Sequence, residues 1–205
     1  MSEEEAMRQA VIEDLALAGA PPGHGTRGRH AAPLFADLQA LLSPAPSAWP
    51  AEARRPFALA PAVAEALAEC APQLARAIVA QRLRPVAVLG CPAQVTRVLV
   101  HLLRNAARAT AGAGRPAVIR IDALGEGARV HVRISDNGHG IAPAVLPRIF
   151  EPFFSTRAHG ASLGLGLTLS RAIVQAHGGT LRCANRVPHG ARFEFDLPAA
   201  APGTA

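Results

Sequence analysis

The spacing of hydrophobic positions changes several times along the chain, and each change predicts an element. Helical spacing predicts helices over residues 61–83, 92–110 and 164–177, the last ended by Gly178-Gly179. Period-two alternation predicts two strands joined by a Gly-Glu-Gly hairpin, with the apolar side chains of each strand facing one way. The inward residues are Ile119, Ile121 and Ala123 in the first strand and Val130, Val132 and Ile134 in the second. Residues 85–89, 180–185 and 192–197 are predicted as further short strands.

This order of elements predicts an α+β fold: a two-layer α/β sandwich in which a mixed sheet carries helices on one face. Before it, residues 3–18 and 33–42 have the pattern of short helices; a segment rich in Gly and Pro follows the first and a Pro-rich segment follows the second. We therefore expect a helical and linker segment over residues 1–55, one compact domain over residues 56–200 and a tail over residues 201–205.

Composition excludes some classes of protein. Hydrophobic residues make up 50% of the chain, enough for a core. The net charge is +6, but the arginines are scattered and aromatic residues are few, so we expect no nucleic-acid partner. The three cysteines are far apart, as expected of packed thiols in a reducing compartment. An acidic start and the lack of an apolar run of about 20 residues predict a cytoplasmic protein with no membrane span.

A polar stripe lies beside the apolar face of the helix predicted over residues 92–110. His101, Asn105 and Arg108 recur at helical spacing. An asparagine oxygen can bind Mg²⁺, and a guanidinium matches phosphate oxygens. Taken alone, such a stripe is more often the solvated side of an amphipathic helix.

Two glycine-rich segments could approach a ligand closely. Residues 136–141 (DNGHGI) follow a strand, where a carboxylate can accept a hydrogen bond from an amine such as that of adenine. Residues 163–167 (LGLGL) open a helix, whose exposed N–H groups favour phosphate. By itself the first is an ordinary Asn-Gly turn and the second is weak evidence. The second matches neither a Rossmann fingerprint nor a Walker loop, which requires a lysine.

Together and in order, five segments resemble the boxes of the histidine-kinase catalytic domain of the GHKL superfamily, which has the Bergerat ATP-binding fold. They are residues 101–106 (HLLRNA), 136–140 (DNGHG), 149–157 (IFEPFFSTR), 163–167 (LGLGL) and 177–180 (HGGT). The resemblance covers about residues 57–198 and is closest to nitrogen-regulation and dicarboxylate sensor kinases.

The resemblance implies a site for ATP and Mg²⁺. Asn105 would bind the metal and Arg108 a phosphate, with His101 and Asn105 as the catalytic positions. Asp136 would bind the adenine amine. The remaining positions assigned to the nucleotide are Gly138, Gly140, Ile141, Phe154, Arg157, Gly164, Leu165, Gly166, Leu167 and Thr180. Phe150, Phe153 and Phe154 would anchor a lid over residues 155–163, and Thr180 would assist the adenine pocket through water.

The sequence departs from the family's pattern in four ways. His101 replaces the usual Asn, as in chemotaxis-type kinases, Arg157 replaces a Lys, and Ser162 replaces a Gly. The fourth departure concerns the hairpin that carries the phosphorylated histidine. Between Pro33 and Phe57 there is no room for two helices of about 30 residues each, so this hairpin is expected to be absent or truncated. His24 and His30 are then linker histidines.

The function implied is the ATP–Mg²⁺-binding catalytic domain of a two-component sensor histidine kinase. It would transfer the γ-phosphate to a histidine on a partner hairpin and work with a response-regulator protein, and it could be dimeric. Two alternatives stay open: a regulatory module that binds nucleotide without transfer, and an anti-sigma-type serine kinase.

Overall fold

The structure is a computed structural model that describes residues 54–154 and 164–200. The helices predicted over residues 3–18 and 33–42, the lid with Arg157, and the histidines of the N-terminal segment lie outside the described residues. The described helices are α1 (Leu59–Glu69), α2 (Ala71–Leu74), α3 (Pro92–Thr110) and α4 (Gly166–Ala176), with a 3-10 helix at Leu146–Arg148. The strands are β1 (Arg55–Ala58), β2 (Ala77–Leu83), β3 (Ala87–Gly90), β4 (Ala117–Glu126), β5 (Arg129–Asp136), β6 (Leu181–Asn185) and β7 (Ala191–Pro198).

Five strands form the main sheet in the order β2-β4-β5-β7-β6. Strand β2 pairs with β4 in parallel and the other pairs are antiparallel, so the sheet is mixed. Alternate side chains of β4, β5 and β7 are buried on one face, where α3 and α4 contact the sheet. The two-layer α+β fold predicted from the hydrophobic pattern is confirmed.

Helix α3 has the bounds that its pattern predicts. Pro92 stands in the first turn, where the missing N–H group costs nothing. Its apolar face, including Leu99, Leu102 and Leu103, is fully buried. The polar stripe of the same helix lies at the edge of this contact, and the position of α3 therefore determines the position of the stripe.

The helix predicted over residues 61–83 is wrong in its second half. Helix α1 ends at Glu69, the single turn α2 follows, and Ala77–Leu83 is the strand β2. Proline lacks the N–H group that a helix interior needs, so Pro72 can stand only at the start of the new turn α2. The β-branched residues Ile78 and Val79 then pair with β4, whose backbone supplies the hydrogen bonds that a helix would have made internally.

The strand predicted over residues 85–89 occurs at Ala87–Gly90, but it is not part of the main sheet. It pairs with β1, a four-residue strand that the hydrophobic pattern did not indicate. Strand β1 contains Pro56 and no alternation of apolar and polar residues, which explains why it was missed. Within the two described ranges, no helix combines the length and the apolar character that crossing a membrane requires.

Candidate functional site

A buried carboxylate marks one end of the candidate site. Asp136 is the last residue of β5, and only 1% of it is exposed. Its Oδ1 atom accepts hydrogen bonds from the backbone N–H groups of Gly138 (2.8 Å) and Ala191 (3.2 Å). Burial raises the pKa of this carboxyl above its usual value, and the two hydrogen bonds oppose that rise. Among the described residues, both hydrogen bonds to this carboxylate go to Oδ1, so Oδ2 is available to a donor on a ligand.

The segment after this carboxylate, residues 136–141, is called the Asp136 loop here. Gly138 packs directly on the last turns of α3, where a Cβ atom would lie 2.3 Å from the carbonyl oxygen of Ala109. The His139 N–H group donates to the same oxygen at 3.2 Å. Gly140 has a φ of 74°, which side chains disfavour. The two glycines are therefore needed for a tight turn against α3.

The other side of the Asp136 loop is held by the segment that joins β6 to β7, residues 185–191, called the β6–β7 turn here. The Asn185 side chain accepts from the Ile141 N–H group at 2.8 Å and donates to the Ile141 carbonyl at 2.7 Å. Arg186 donates from Nη1 to the Asp136 carbonyl at 3.0 Å. At Gly190 a Cβ atom would lie 1.9 Å from that same carbonyl, so the two segments pack backbone to backbone.

The N-terminus of α4 forms the second end of the site. The helix begins at Gly166, its N-cap Leu165 makes no side-chain hydrogen bond, and its first turn holds no acidic residue. Within residues 54–154 and 164–200, no side chain caps the first N–H groups of this helix, which carry the positive end of the helix dipole. Gly164 has a φ of 69°, and a Cβ atom there would lie 2.5 Å from the carbonyl oxygen of Phe154. Gly164 therefore packs against the backbone of Phe154.

His101 lies on α3 beside the start of α4. Its Nδ1 is 3.2 Å from the Ser170 hydroxyl oxygen, and a Cβ atom on Gly166 would lie 3.6 Å from its ring. Burial, with the nearby charges of Arg97 and Arg104, lowers the pKa of His101 from 6.5 to about 4. The imidazole is therefore neutral at pH 7, where it can accept or donate a hydrogen bond without adding charge.

Asn105 and Arg108 lie on α3 between these two ends. Asn105 is half-buried, and no hydrogen bond joins its amide to another described residue. Arg108 is exposed in the last turn of the helix. From His101 to Ala109 the helix rises about 12 Å, since each residue adds about 1.5 Å. One helix face thus joins the start of α4 to the Asp136 loop.

The aromatic segment before residue 155 is fastened to α4. The Thr168 hydroxyl donates to the Phe150 carbonyl at 3.2 Å, and the Arg171 guanidinium lies 5.5 Å from the centre of the Phe150 ring. Arg148 stacks on Phe154 at 4.3 Å. Phe153 is half exposed and has a φ of 61°. The structure therefore brings this segment to the helix that carries the glycine box.

Thr180 does not lie with the other predicted site residues. Its N–H group donates to the Asp196 carboxylate at 2.9 Å, whereas Asp136 contacts Ala191. Asp196 and Ala191 are five positions apart on β7, which is about 16 Å in a strand. The expectation that Thr180 assists the adenine pocket is therefore corrected.

Residues of the β6–β7 turn occupy that side of Asp136 instead, and sequence reasoning assigned them no role. Asn185, Arg186 and Ala191 contact the Asp136 loop only because β7 lies between β5 and β6 in the sheet. The one signal in the sequence was Gly190 directly before a strand, which is consistent with a close approach of two backbones.

The chemistry of these residues fits a nucleotide and Mg²⁺. An acceptor oxygen, a glycine turn and an uncapped helix N-terminus suit an amine-bearing base and a chain of phosphates. Among the described residues no three His, Cys, Asp or Glu side chains form a group that could hold a metal. Mg²⁺ often binds through one or two protein oxygens with substrate phosphates and water, and the Asn105 amide offers such an oxygen.

Comparison with known proteins identifies the family to which the chain is similar. The family described as histidine kinase-, DNA gyrase B- and HSP90-like ATPase matches residues 90–201. The sensor protein FixL of Bradyrhizobium diazoefficiens is 38% identical over 113 residues, which are 55% of this chain and 22% of FixL. The two-component sensor PprA of Pseudomonas aeruginosa is 43% identical over 122 residues, which are 58% of this chain and 13% of PprA. The chain therefore spans only a small part of these relatives.

The described fold also matches a solved structure. The catalytic domain of histidine kinase ThkA superposes with a TM-score of 0.62 and 25% sequence identity. The match covers 71% of this chain and 95% of the ThkA domain. The part of the chain that carries the candidate site is thus similar to nearly the whole of that catalytic domain.

Proposed function

We propose a function for this chain on the premise that it belongs to the family of histidine kinase-, DNA gyrase B- and HSP90-like ATPases. It contains a catalytic ATPase domain of the type found in sensor histidine kinases, and such a domain binds ATP. The further proposal is that it binds ATP with Mg²⁺ and transfers the γ-phosphate to a histidine. That histidine belongs to a hairpin on another chain or another segment, and the phosphate then passes to a response regulator.

The observation that carries the proposal is the contact of one helix, α3, with both ends of the site. Ala109 contacts the Asp136 loop, and His101 lies against the first residue of α4. An extended nucleotide that lies along α3 would have its base at the buried carboxylate and its phosphates at the uncapped helix N-terminus. This arrangement supports a nucleoside triphosphate better than a small metabolite, which would reach only one end.

At the base end, Asp136 accepts a hydrogen bond from the exocyclic amine of adenine at Oδ2. Gly138 and Gly140 allow the backbone to pass close to the base, and Ile141 covers it. Because Oδ1 is already occupied by two N–H groups, the carboxylate cannot rotate away from the base. The site therefore prefers a base with a donor at this position to one with a carbonyl.

At the phosphate end, the N–H groups of Gly166 and Leu167 bind phosphate oxygens at the helix N-terminus, and Gly164 and Leu165 lead the chain into it. Asn105 would hold Mg²⁺, which would supply positive charge to the phosphates. Arg108 and Arg157 supply further positive charge for the phosphates. Phosphoryl transfer depends mostly on such positioning and charge, so these groups support the proposed reaction.

His101 orients the terminal phosphate as a neutral hydrogen-bonding group. Its contact with Ser170 fixes the ring, and its lowered pKa keeps it uncharged at pH 7. With a pKa of about 4, this imidazole is a weak base for activating water, which suits transfer to a protein side chain.

Two measurements test the proposal. Titration calorimetry with ATP, with and without Mg²⁺, should show binding that weakens in Asn105→Ala only when Mg²⁺ is present. Incubation with γ-labelled ATP and a histidine-hairpin protein should place acid-labile label on that protein. ATP binding without any transfer to such hairpins would leave a nucleotide-binding regulatory module, and acid-stable label would indicate a serine kinase.

A further inference from the structure

The β6–β7 turn is joined to the Asp136 loop at points that lie far from the phosphate end. Asn185 binds Ile141 through two hydrogen bonds, Arg186 binds the Asp136 carbonyl, and the Ala191 N–H group binds the Asp136 carboxylate. The Arg186 N–H group also donates to the Gly190 carbonyl at 2.9 Å, which closes the turn on itself. One side of the Asp136 loop thus rests on this turn, and Gly138 rests on α3.

The Asn185 side chain makes two hydrogen bonds with the backbone of Ile141. A single side-chain amide satisfies both the N–H and the carbonyl of one residue that lies outside every strand and helix, at 2.8 and 2.7 Å. Gly140 stands directly before that residue, and a Cβ atom on it would lie 3.2 Å from Asn185 Oδ1. Glycine allows many backbone conformations, so the Asn185 amide selects one of them.

We propose that Asn185 is a positioning residue for recognition of the nucleotide base. It holds Ile141 and the rest of the Asp136 loop in the shape that receives the base before any nucleotide arrives. This inference rests on the proposed function, because it needs a base to bind at Asp136. A loop that is already ordered spares the ligand the entropy cost of ordering it, so removal of Asn185 weakens binding.

The geometry separates this role from general stability. Asn185 is an exposed residue at the end of β6, and its amide contacts the loop and not the hydrophobic core. None of its hydrogen bonds reaches α4 or the polar stripe of α3. Its loss should therefore affect the base half of a nucleotide and leave the phosphate half unchanged.

The test uses the full chain with Asn185→Ala, Asn185→Asp and the control Val187→Ala. Val187 is 95% exposed in the same turn, so its truncation changes the turn without touching the loop. Asn185→Asp keeps an acceptor for the Ile141 N–H group, but its second oxygen repels the Ile141 carbonyl. Two hydrogen bonds in partly exposed surroundings predict a weakening of about tenfold for the alanine variant. The aspartate variant keeps one hydrogen bond but adds a repulsion, so it should also bind more weakly than the wild type.

Titration calorimetry with adenosine, ATP and inorganic tripolyphosphate provides the main readout. We expect adenosine and ATP to lose the same factor in Asn185→Ala, tripolyphosphate to bind as in the wild type, and the control to change nothing. Hydrogen exchange without ligand provides the second readout, in which the Ile141 amide should exchange faster in Asn185→Ala alone.

Three results would overturn the inference. Asn185→Ala could bind adenosine and ATP within twofold of the wild type. It could lose tripolyphosphate binding as well, together with a lower melting temperature in both Asn185 variants, which would indicate a structural role only. The wild-type chain could bind neither ATP nor adenosine, which would refute the proposed function itself. If instead the wild type and the Asn185 variants all bind ATP equally well, only the role of Asn185 is refuted.

Discussion

Replacing the buried carboxylate of Asp136 by an amide tests the base site most directly. In Asp136→Asn the oxygen can keep both backbone hydrogen bonds, from Gly138 and Ala191, because an amide has the shape of a carboxylate. The second position then becomes an NH₂ group that faces the adenine amine. In the variant the side-chain NH₂ group and the adenine amine are both donors, whereas in the wild type the amine donates to a carboxylate oxygen.

The expected loss follows from these two changes. A hydrogen bond to a charged group contributes about 1.5–3 kcal/mol, and leaving a buried donor without an acceptor costs about 1–3 kcal/mol more. The total of about 2.5–6 kcal/mol corresponds to a dissociation constant for ATP that rises by about 70-fold or more. ITP carries a carbonyl where ATP carries the amine, so its binding should improve relative to ATP in the variant.

The thermal stability of Asp136→Asn should not fall, although its affinity for ATP does. Burial raises the pKa of Asp136, so the charged form destabilises the fold as the pH rises through that pKa, and the neutral amide removes this penalty. We expect Asp136→Asn to unfold at the same temperature as the wild type or a higher one. Asp122→Asn, which makes the same change on the opposite face of the sheet, serves as the control.

Calorimetric titration of both variants with ATP and ITP gives the answer, with thermal unfolding recorded on the same samples. The assignment of Asp136 to the base would be refuted if Asp136→Asn bound ATP within about threefold of the wild type. It would also be refuted if ATP and ITP lost the same factor, since the carboxylate would then not distinguish the two bases.

Three further predictions concern the stability of the fold and of the site. Gly138→Ala would place a Cβ 2.3 Å from the Ala109 carbonyl oxygen, so its free energy of unfolding in urea should fall by about 1–3 kcal/mol and ATP should bind more weakly. In the control Gly125→Ala the new Cβ would meet only one side chain, so the free energy of unfolding should fall less. Glu194→Gln removes the charged partner of Arg133 and Arg192 on the open sheet face, so the free energy of unfolding should fall by about 0.5–1 kcal/mol. This loss should shrink in 1 M NaCl, and an equal loss at low and high salt would contradict a charge effect. Burial lowers the pKa of His101 from 6.5 to about 4, so its neutral form stabilises the fold above pH 6.5, and this stabilisation is lost as the pH falls towards 4. The loss of stability between pH 7 and pH 5.5 should then be about 1 kcal/mol smaller in His101→Asn, and equal losses would show that the ring is not buried enough to resist protonation.

The elements that the hydrophobic pattern predicted well are those with one buried face. Strands β4, β5 and β7 alternate cleanly because one face packs on the helices and the other is polar. The pattern failed at β2, where Ile78 is exposed and Leu83 is only half-buried. An edge strand with little burial leaves no clear period, and helical spacing there arose by coincidence.

The candidate site could be predicted only where its residues lie close in sequence. Asp136 and Gly138 belong to one turn, and the first residues of α4 belong to one glycine box, so each could be matched to a box of the resembling family as one continuous segment. Asn185 lies 44 positions from Ile141 in the sequence, and its role depends on the order of strands in the sheet. Alternation shows which face a strand buries, but it does not show which strand lies beside it. The resemblance assigned Thr180 to the adenine pocket, whereas the register of β6 and β7 places it beside Asp196 at the opposite end of the sheet.

The order of strands also explains why the site has two independent supports. The Asp136 loop rests on α3 through Gly138 and on the β6–β7 turn through Ile141, whereas the start of α4 rests on α3 through His101. A shift of α3 would move both ends together and change binding of base and phosphates alike. A shift of the β6–β7 turn would move the base end alone. Variants of the turn should therefore separate affinity for adenosine from affinity for tripolyphosphate, and variants in the buried face of α3 should not.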